Sequence, residues 1–251
     1  MNASSNPPSN PPSPIQGRRS RVGMLAIGAL LSVLGFAASS PATAQTAPSP
    51  AQLAQYAGLH AAAFRGDVSE VRRLLAAGAA ADSRESSGRT ALHVAAFGGQ
   101  REVIRALAAG GADLGALEND RYDAVTIAAV ADDEETLRVL LSLGAGAGLV
   151  TSRYDGTALI AAAHLGHDGV VRQLIGAGAP LDHVNNLHWT AVIESIVLGD
   201  GGPRHQATLA ALVQAGADLG LADRSGNTPL ALARSRGYAE MVKLLLAAGA
   251  R

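Results

Sequence analysis

The sequence has 251 residues, of which 48% are hydrophobic, 16% charged and 3% aromatic, with 29 glycines and no cysteine. This composition excludes a collagen-like chain, a disulfide-stapled domain and a highly charged disordered chain. From residue 45 onward, 17 basic residues face 21 acidic ones, a net charge of −4, which argues against nucleic-acid binding. The lack of cysteine excludes a thiol nucleophile and a cysteine-ligated zinc or iron–sulfur site.

Residues 1–44 have the pattern of a bacterial signal peptide behind a Pro/Ser-rich leader. The basic run Arg18-Arg19-Ser20-Arg21 precedes an apolar stretch over 22–38, and Ala42-Thr43-Ala44 has the small-residue spacing that signal peptidase cleaves. Cleavage after Ala44 would place the mature chain in the periplasm or outside the cell, without membrane association. The alternative is an uncleaved membrane anchor, for which an apolar run of about 17 residues is at the lower limit. The two adjacent arginines are weak evidence for the twin-arginine route.

The rest of the chain repeats with a period of about 33 residues. A glycine that follows a leucine-rich segment recurs at spacings of 33, 33, 34, 38 and 33, and a small polar residue that begins a helix recurs at 33, 34, 33 and 38. The glycines are Gly78, Gly111, Gly144, Gly178, Gly216 and Gly249, and the helix-starting residues are Thr90, Asp123, Thr157, Thr190 and Thr228. Each unit predicts two short helices that cannot bury enough apolar area alone. Stacked units would share one core, so the fold is predicted to be a solenoid.

The motifs of these units resemble the ankyrin repeat family. Residues 223–233, with the sequence DRSGNTPLALA, and 244–250, with LLLAAGA, fit the family pattern at nearly every marked position, and Thr90-Ala91-Leu92-His93 keeps all but the usual proline. The resemblance implies an all-α solenoid of stacked helix pairs with β-hairpin-like fingers, and a family role in protein–protein binding through a concave face of fingers and inner helices. It implies no catalysis and no cofactor. The expected organisation is a linker over 45–56, containing Pro48 and Pro50, and an ankyrin domain over 57–251, with a helical N-terminal cap at 57–81 and repeats at about 82–117, 118–150, 151–184, 185–222 and 223–251.

Two departures from the repeat pattern have both a functional and an ordinary interpretation. The second repeat carries Asp132-Asp133-Glu134-Glu135 in the turn between its helices, where acidic residues also suit a helix N-terminus. The fourth repeat has five extra residues within 199–205, at the end of the inner helix that is far from the fingers. Either feature is a recognition device or the drift that repeats tolerate in turns.

Catalysis or metal binding is the alternative function. His164 and His167 have the spacing of two ligands on one helical face, with Asp168 beside them. However, a Gly-His pair such as Gly166-His167 is also the ordinary end of an inner helix in this family. His60 and His93 hold the family position at which a histidine fixes the turn by hydrogen bonding. No serine has the Gly-x-Ser-x-Gly context of a hydrolase nucleophile.

The few large side chains collect on the expected groove. Tyr122 and Trp189 have the same register in two finger-to-helix junctions, and Tyr154 is at a finger tip between them. One inner-helix position is occupied in five successive units by Phe64, Phe97, Val130, His164 and Val197. Aromatic anchors with an arginine and asparagine rim are typical of binding hot spots. The alternative for the two phenylalanines is packing between helices. The predicted partner-binding residues are Trp189, Tyr122, Tyr154, Arg89, Arg153, Asn186, Leu187, Glu194, Arg224, Asn227 and Phe97. We expect a monomer that binds one unidentified protein, either an enzyme that it assists or a toxin that it neutralises.

Overall fold

Residues 45–251 are described by the structure, a computed structural model, and they contain thirteen α-helices. The leader and signal-peptide predictions for residues 1–44 lie outside this range. One helical turn, α1 (Pro50–Leu53), precedes six helix pairs. The first helices of the pairs, here called inner helices, are α2 (Gly58–Arg65), α4 (Ala91–Phe97), α6 (Ala124–Val130), α8 (Ala158–Leu165), α10 (Ala191–Val197) and α12 (Pro229–Ser235). The second, outer helices are α3 (Val68–Ala76), α5 (Arg101–Ala109), α7 (Glu134–Ser142), α9 (Asp168–Gly176), α11 (Pro203–Gln214) and α13 (Ala239–Ala247).

The helix pairs form two layers that share one core. Each inner helix packs on the next inner helix, and each outer helix on the next outer helix. Alanines on the inner helices, such as Ala95 and Ala128, are fully buried and let neighbouring helices approach closely. Leucines of the outer helices, such as Leu140 and Leu174, fill the space between the layers. This arrangement confirms the predicted all-α solenoid of stacked helix pairs.

The inner helices begin at the residues that the sequence marks. The hydroxyls of Thr157 and Thr190 each accept a hydrogen bond of 3.3 Å from the backbone N–H three residues later. Asp123 makes the same contact with Thr126 at 2.8 Å, so aspartate replaces threonine here without loss of the helix cap. These capping residues therefore set the start of α6, α8 and α10.

The fingers are tight turns, and their ends are close together as in a hairpin. The backbone N–H of Glu118 donates to the carbonyl of Tyr122 at 3.0 Å, and the side chain of Glu118 accepts from the N–H groups of Asp120 and Tyr122. Asn185 makes the equivalent contacts with Leu187 and Trp189. Within residues 45–251 the only β pairing is one antiparallel bridge between Thr151 and Gly156, so the fingers have no strand ladder.

The five extra residues of the fourth repeat fold onto the neighbouring repeats. They lengthen α11 to 12 residues, against nine in the other outer helices. His205 hydrogen-bonds the carbonyl of His164 at 2.9 Å, and Arg204 pairs with Asp132 at 2.8 Å and with Asp168 at 3.5 Å. These contacts support the interpretation in which the insertion has a structural role.

Residues 45–56 differ from the predicted linker. Ser49 and Gln52 form a reciprocal capping box that begins α1, and the amide of Gln52 donates to the hydroxyl of Ser87 at 2.8 Å. The carbonyl of Thr46 accepts from Arg89 at 2.8 Å. Residues 45–53, here called the strap, therefore pack against the first repeat. Within the described range no helix is long and apolar enough to cross a membrane.

Candidate binding groove

The inner helices and the fingers form one face, here called the groove surface. Inner-helix residues around it are mostly buried, but one register position is at least partly exposed in each of α2, α4, α6, α8 and α10. Its occupants are the five residues that the register predicts, namely Phe64, Phe97, Val130, His164 and Val197. Phe64 is 45% exposed, whereas Phe97 packs against the core and so fits its alternative interpretation as a packing residue.

Arg89 lies beneath the strap, in contrast to its predicted place on an open rim. It is 5% exposed, and its guanidinium carbon lies 5.5 Å from the centre of the Phe97 ring, within the range of a cation–π contact. Pro48 and Leu53 of the strap close a small cavity of about 200 Å³ whose other walls include Phe64 and Phe97. The strap thus covers the N-terminal end of the groove surface. The Ser-Pro-Ala-Gln capping box at 49–52 is the sequence signal that this segment is folded.

The fourth repeat contains a buried carboxylate at the groove surface. Glu194, also predicted on the rim, is 4% exposed, because it stands at the α10 position equivalent to Val94 and Ile127 and points into the packed layer. Its Oε1 accepts from the Asn185 amide at 2.9 Å, and its Oε2 lies 3.6 Å from Nδ1 of His164. Burial raises the pKa of Glu194 from 4.5 to about 7, and burial together with nearby histidines lowers the pKa of His164.

Trp189 and Tyr154 remain the best candidates for anchors. Both side chains are partly exposed. Within residues 45–251, other partly buried side chains pack against the hydrophobic core, but Trp189 and Tyr154 do not belong to that set. Tyr122 does pack against that core, and its backbone carbonyl accepts from His93 at 3.1 Å. Leu187, which follows Asn186 in the same finger as Trp189, is 39% exposed.

The polar finger residues are exposed, but several already hold neighbouring fingers together. Asn186 donates to the carbonyl of Arg153, and Arg224 donates to the carbonyl of Asn186. Asn227 donates to Asp223 within its own finger. Consecutive fingers are therefore cross-linked into one continuous ribbon. On its outer side the ribbon carries the guanidinium groups of Arg121, Arg153 and Arg224 and the carboxylates of Asp120 and Asp155.

The middle fingers carry side chains in a conformation that favours glycine. Arg121, Asp155 and His188 have φ values of 66°, 52° and 63° at the tip position that Gly88 and Gly226 occupy in the outermost fingers. A left-handed conformation is strained for most residues with a Cβ atom, although Asp and His tolerate it better than Arg. The strain coincides with the part of the groove surface that contains Tyr154 and Trp189.

The residues of the alternative metal or catalytic site do not converge. Nδ1 of His167 is 2.9 Å from the carbonyl of Ala129, and Asp168 pairs with Arg172 at 2.8 Å. His164 instead faces Glu194. Within residues 45–251 no cluster of three or more histidine and carboxylate side chains has the geometry to hold a metal ion. The acidic run of the second repeat likewise has structural roles, because Asp133 caps α7 and Asp132 pairs with Arg204.

The model of the ankyrin repeat family matches this chain three times, over residues 59–152, 125–223 and 159–251. The chain belongs to the ankyrin repeat family. Ankyrin repeat domains are in general protein–protein interaction modules and non-enzymatic scaffolds. These matches confirm the resemblance found in the finger and helix motifs.

Other ankyrin proteins resemble part or most of the repeat region of this chain. The curated relative YahD of Escherichia coli K12, an ankyrin repeat protein, is 41% identical over 100 residues, which are 39% of this chain and 50% of that protein. The chain thus spans about half the length of that curated relative. An ankyrin repeat domain of Acinetobacter baumannii AYE is 43% identical with a TM-score of 0.73, covering 77% of this chain and 98% of that domain. The ankyrin domain of Bcl-3, a member of the IkappaB family, is 27% identical with a TM-score of 0.70, and the match covers 78% of this chain and 88% of that domain.

Proposed function

We propose that this ankyrin protein is an exported, non-enzymatic binding module that holds one protein partner on its groove surface. The partner lies in the periplasm or outside the cell, and it is an enzyme that the module assists or a toxin that it neutralises. Export follows from the basic run, the apolar stretch and the Ala42-Thr43-Ala44 spacing of residues 1–44. The ankyrin protein itself acts as a monomer.

The observation that carries the proposal is the state of Trp189. It is the only tryptophan of the chain, it is partly exposed, and it stands apart from the side chains that pack against the core. Its backbone N–H is held at 3.0 Å by Asn185, so the finger fixes its position before any partner arrives. A tryptophan side chain offers a large contact area, and a backbone that is already held in place lowers the entropic cost of using it.

The surroundings of Trp189 fit the same role. Leu187 adds exposed apolar surface in the same finger, at 39% exposure. Cross-linked fingers keep the surface rigid, which lowers the cost of ordering it on association. At the finger tips, the backbones of Asp155 and His188 are in the left-handed conformation. Such strained backbone conformations often occur at binding sites.

The test replaces Trp189 with alanine and measures folding and binding on the same variant. A partner captured from a periplasmic extract by the wild-type chain is expected to bind Trp189→Ala about thirtyfold more weakly, equivalent to about 2 kcal/mol. The free energy of unfolding should change little, because Trp189 is not a core residue. Leu246→Ala is the matched control, since Leu246 is 48% exposed on the outer helix α13 and should not affect partner binding.

Two results would contradict the proposal. Loss of about 3 to 5 kcal/mol of folding stability in Trp189→Ala would identify the side chain as a packing residue. Equal binding by the wild type and Trp189→Ala would place the partner elsewhere and remove the same support from Tyr154.

A further inference from the structure

The fourth repeat exchanges the usual positions of a carboxylate and an uncharged group. At the finger position of Asn185, two of the other repeats have glutamate and one has aspartate, namely Glu85, Glu118 and Asp223. At the helix position of Glu194, the other repeats have Val94, Ile127, Ala161 and Leu232. The acid has thus moved from the finger turn to the buried floor of the groove surface. Asn185 keeps the finger closed and turns its amide toward the moved carboxylate.

One oxygen of Glu194 is left without a hydrogen bond. Oε2 is fully buried and has no hydrogen-bond partner among the described residues, although Nδ1 of His164 is 3.6 Å away. A buried polar atom without a partner costs free energy, so its retention needs a reason. His164 is the natural proton partner, because its ring accepts from a protonated carboxyl and donates to an ionised one. Its side chain is 34% exposed on the groove surface, which connects the buried carboxyl to solvent.

We propose that Glu194 and His164 form a proton-sensing pair in the floor of the groove surface, and that Asn185 couples their charge state to Trp189. The coupling runs through one side chain, since the Asn185 amide donates to Glu194 at 2.9 Å while its oxygen accepts from the Trp189 N–H at 3.0 Å. Loss of the proton leaves a negative charge on the floor. A partner with a basic group opposite Trp189 would then bind more tightly as pH rises. Only this last consequence rests on the proposed function.

The other charged groups near the pair do not supply a counter-charge. From α8 the facing titratable group is His164, with His167 beyond the end of that helix. From α11 the facing group is His205, which with His167 lowers the pKa of His164 electrostatically. From α12 the residue in register with Glu194 is Leu232, and the one charged residue of that helix, Arg234, is exposed. Burial and the nearby histidines thus disfavour the charged form of His164 by lowering its pKa, and burial raises the pKa of Glu194 to about 7.

The single tryptophan allows the test on the full chain without a partner. Emission of Trp189 is expected to change sigmoidally between pH 5 and pH 9, with its midpoint near the value of about 7 given by the Glu194 pKa. Glu194→Gln should abolish the transition, because glutamine keeps the hydrogen bond from Asn185 but does not titrate. Asn185→Asp should raise the midpoint, because a second carboxylate next to Glu194 disfavours its ionisation. Glu240→Gln, an exposed change of the same kind on α13, should leave the transition intact.

Titration of the Glu194 carboxyl can also be measured directly in the wild-type chain, so that the test does not depend on whether a variant folds. The ¹³C chemical shift of the Glu194 carboxyl in the wild-type chain should follow the same midpoint as the fluorescence. A carboxyl that titrates below about pH 5, or a fluorescence transition that persists in Glu194→Gln, would overturn the proposal. A carboxyl that titrates near pH 7 without a change at Trp189 would overturn the coupling. Failure to capture a partner would instead count against the proposed function alone.

Discussion

Replacing Glu194 with glutamine is expected to stabilise the protein at pH 8 and to leave its stability at pH 4 nearly unchanged. Burial raises the pKa of this carboxyl from 4.5 to about 7. Below pH 4.5 the folded and unfolded chains both hold the proton, so this group adds no pH dependence. Between pH 4.5 and about 7 the folded chain holds a proton that the unfolded chain has released. The free energy of unfolding therefore falls as pH rises through this window, and the loss is complete above it.

The size of the effect follows from the two pKa values. Each pKa unit corresponds to about 1.4 kcal/mol, so a rise from 4.5 to about 7 makes ionised Glu194 destabilising by about 3 kcal/mol. Glutamine has nearly the same shape, keeps an oxygen for the Asn185 amide and brings an N–H toward His164. It mimics the protonated carboxyl at every pH. The stabilisation at pH 8 should therefore approach this full value.

Denaturant titrations of wild type and variant at pH 4 and pH 8 provide the assay. The difference between Glu194→Gln and wild type should grow by about 3 kcal/mol from the lower to the higher pH. Glu240→Gln controls for removing a carboxylate, because Glu240 lies on the surface paired with Lys243. Equal differences at the two pH values, or a Glu194→Gln chain less stable than wild type at pH 8, would refute the assignment of a buried, destabilising carboxyl.

Three further predictions concern the ends of the chain. Arg89→Ala removes the hydrogen bond to Thr46 and the contact with Phe97, so limited proteolysis should cleave the strap faster. An unchanged cleavage rate would show that Arg89 does not hold the strap. Removing residues 218–251 bares the apolar side of the fourth repeat and should cause marked loss of solubility; a truncated chain that stays monomeric with an unchanged melting temperature would count against the stacked fold. Intact-mass measurement of the exported protein should give an N-terminus at Gln45, and a chain that retains residues 22–38 would disprove cleavage.

The repeat itself could be predicted because its signals are local. A capping threonine or aspartate, small residues on the inner helix and a glycine after the outer helix each determine a few neighbouring dihedral angles, and all of them recur at one period. Thr157 and Thr190 accordingly cap the helices that they mark. Stacking then places one position of each inner helix on the groove surface.

The errors concern residues whose environment depends on distant parts of the chain. Register alone predicts Arg89 on an open rim, but the strap, 43 residues away at Thr46, covers it. The alignment of the repeats also predicts Glu194 on the rim, yet the side chain is buried and faces His164 across the helices. The appearance of Asn185 where other fingers have an acid was the available signal for the second case. Two prolines in 45–56 favour a linker, whereas the capping box between Ser49 and Gln52 begins a helical turn there.

The insertion of the fourth repeat has a mechanical consequence. In a simple solenoid each repeat contacts only its immediate neighbours, so the array can flex between any two repeats. Here Arg204 reaches back to Asp132, two units away, and the hydroxyl of Tyr238 in the next unit donates to the carbonyl of Gly199. Flexing the array between the second and fifth units must stretch these contacts. These contacts stiffen the units that carry Tyr154 and Trp189, and because Arg204 is exposed and its two partners are partly exposed, that stiffness should decrease in high salt.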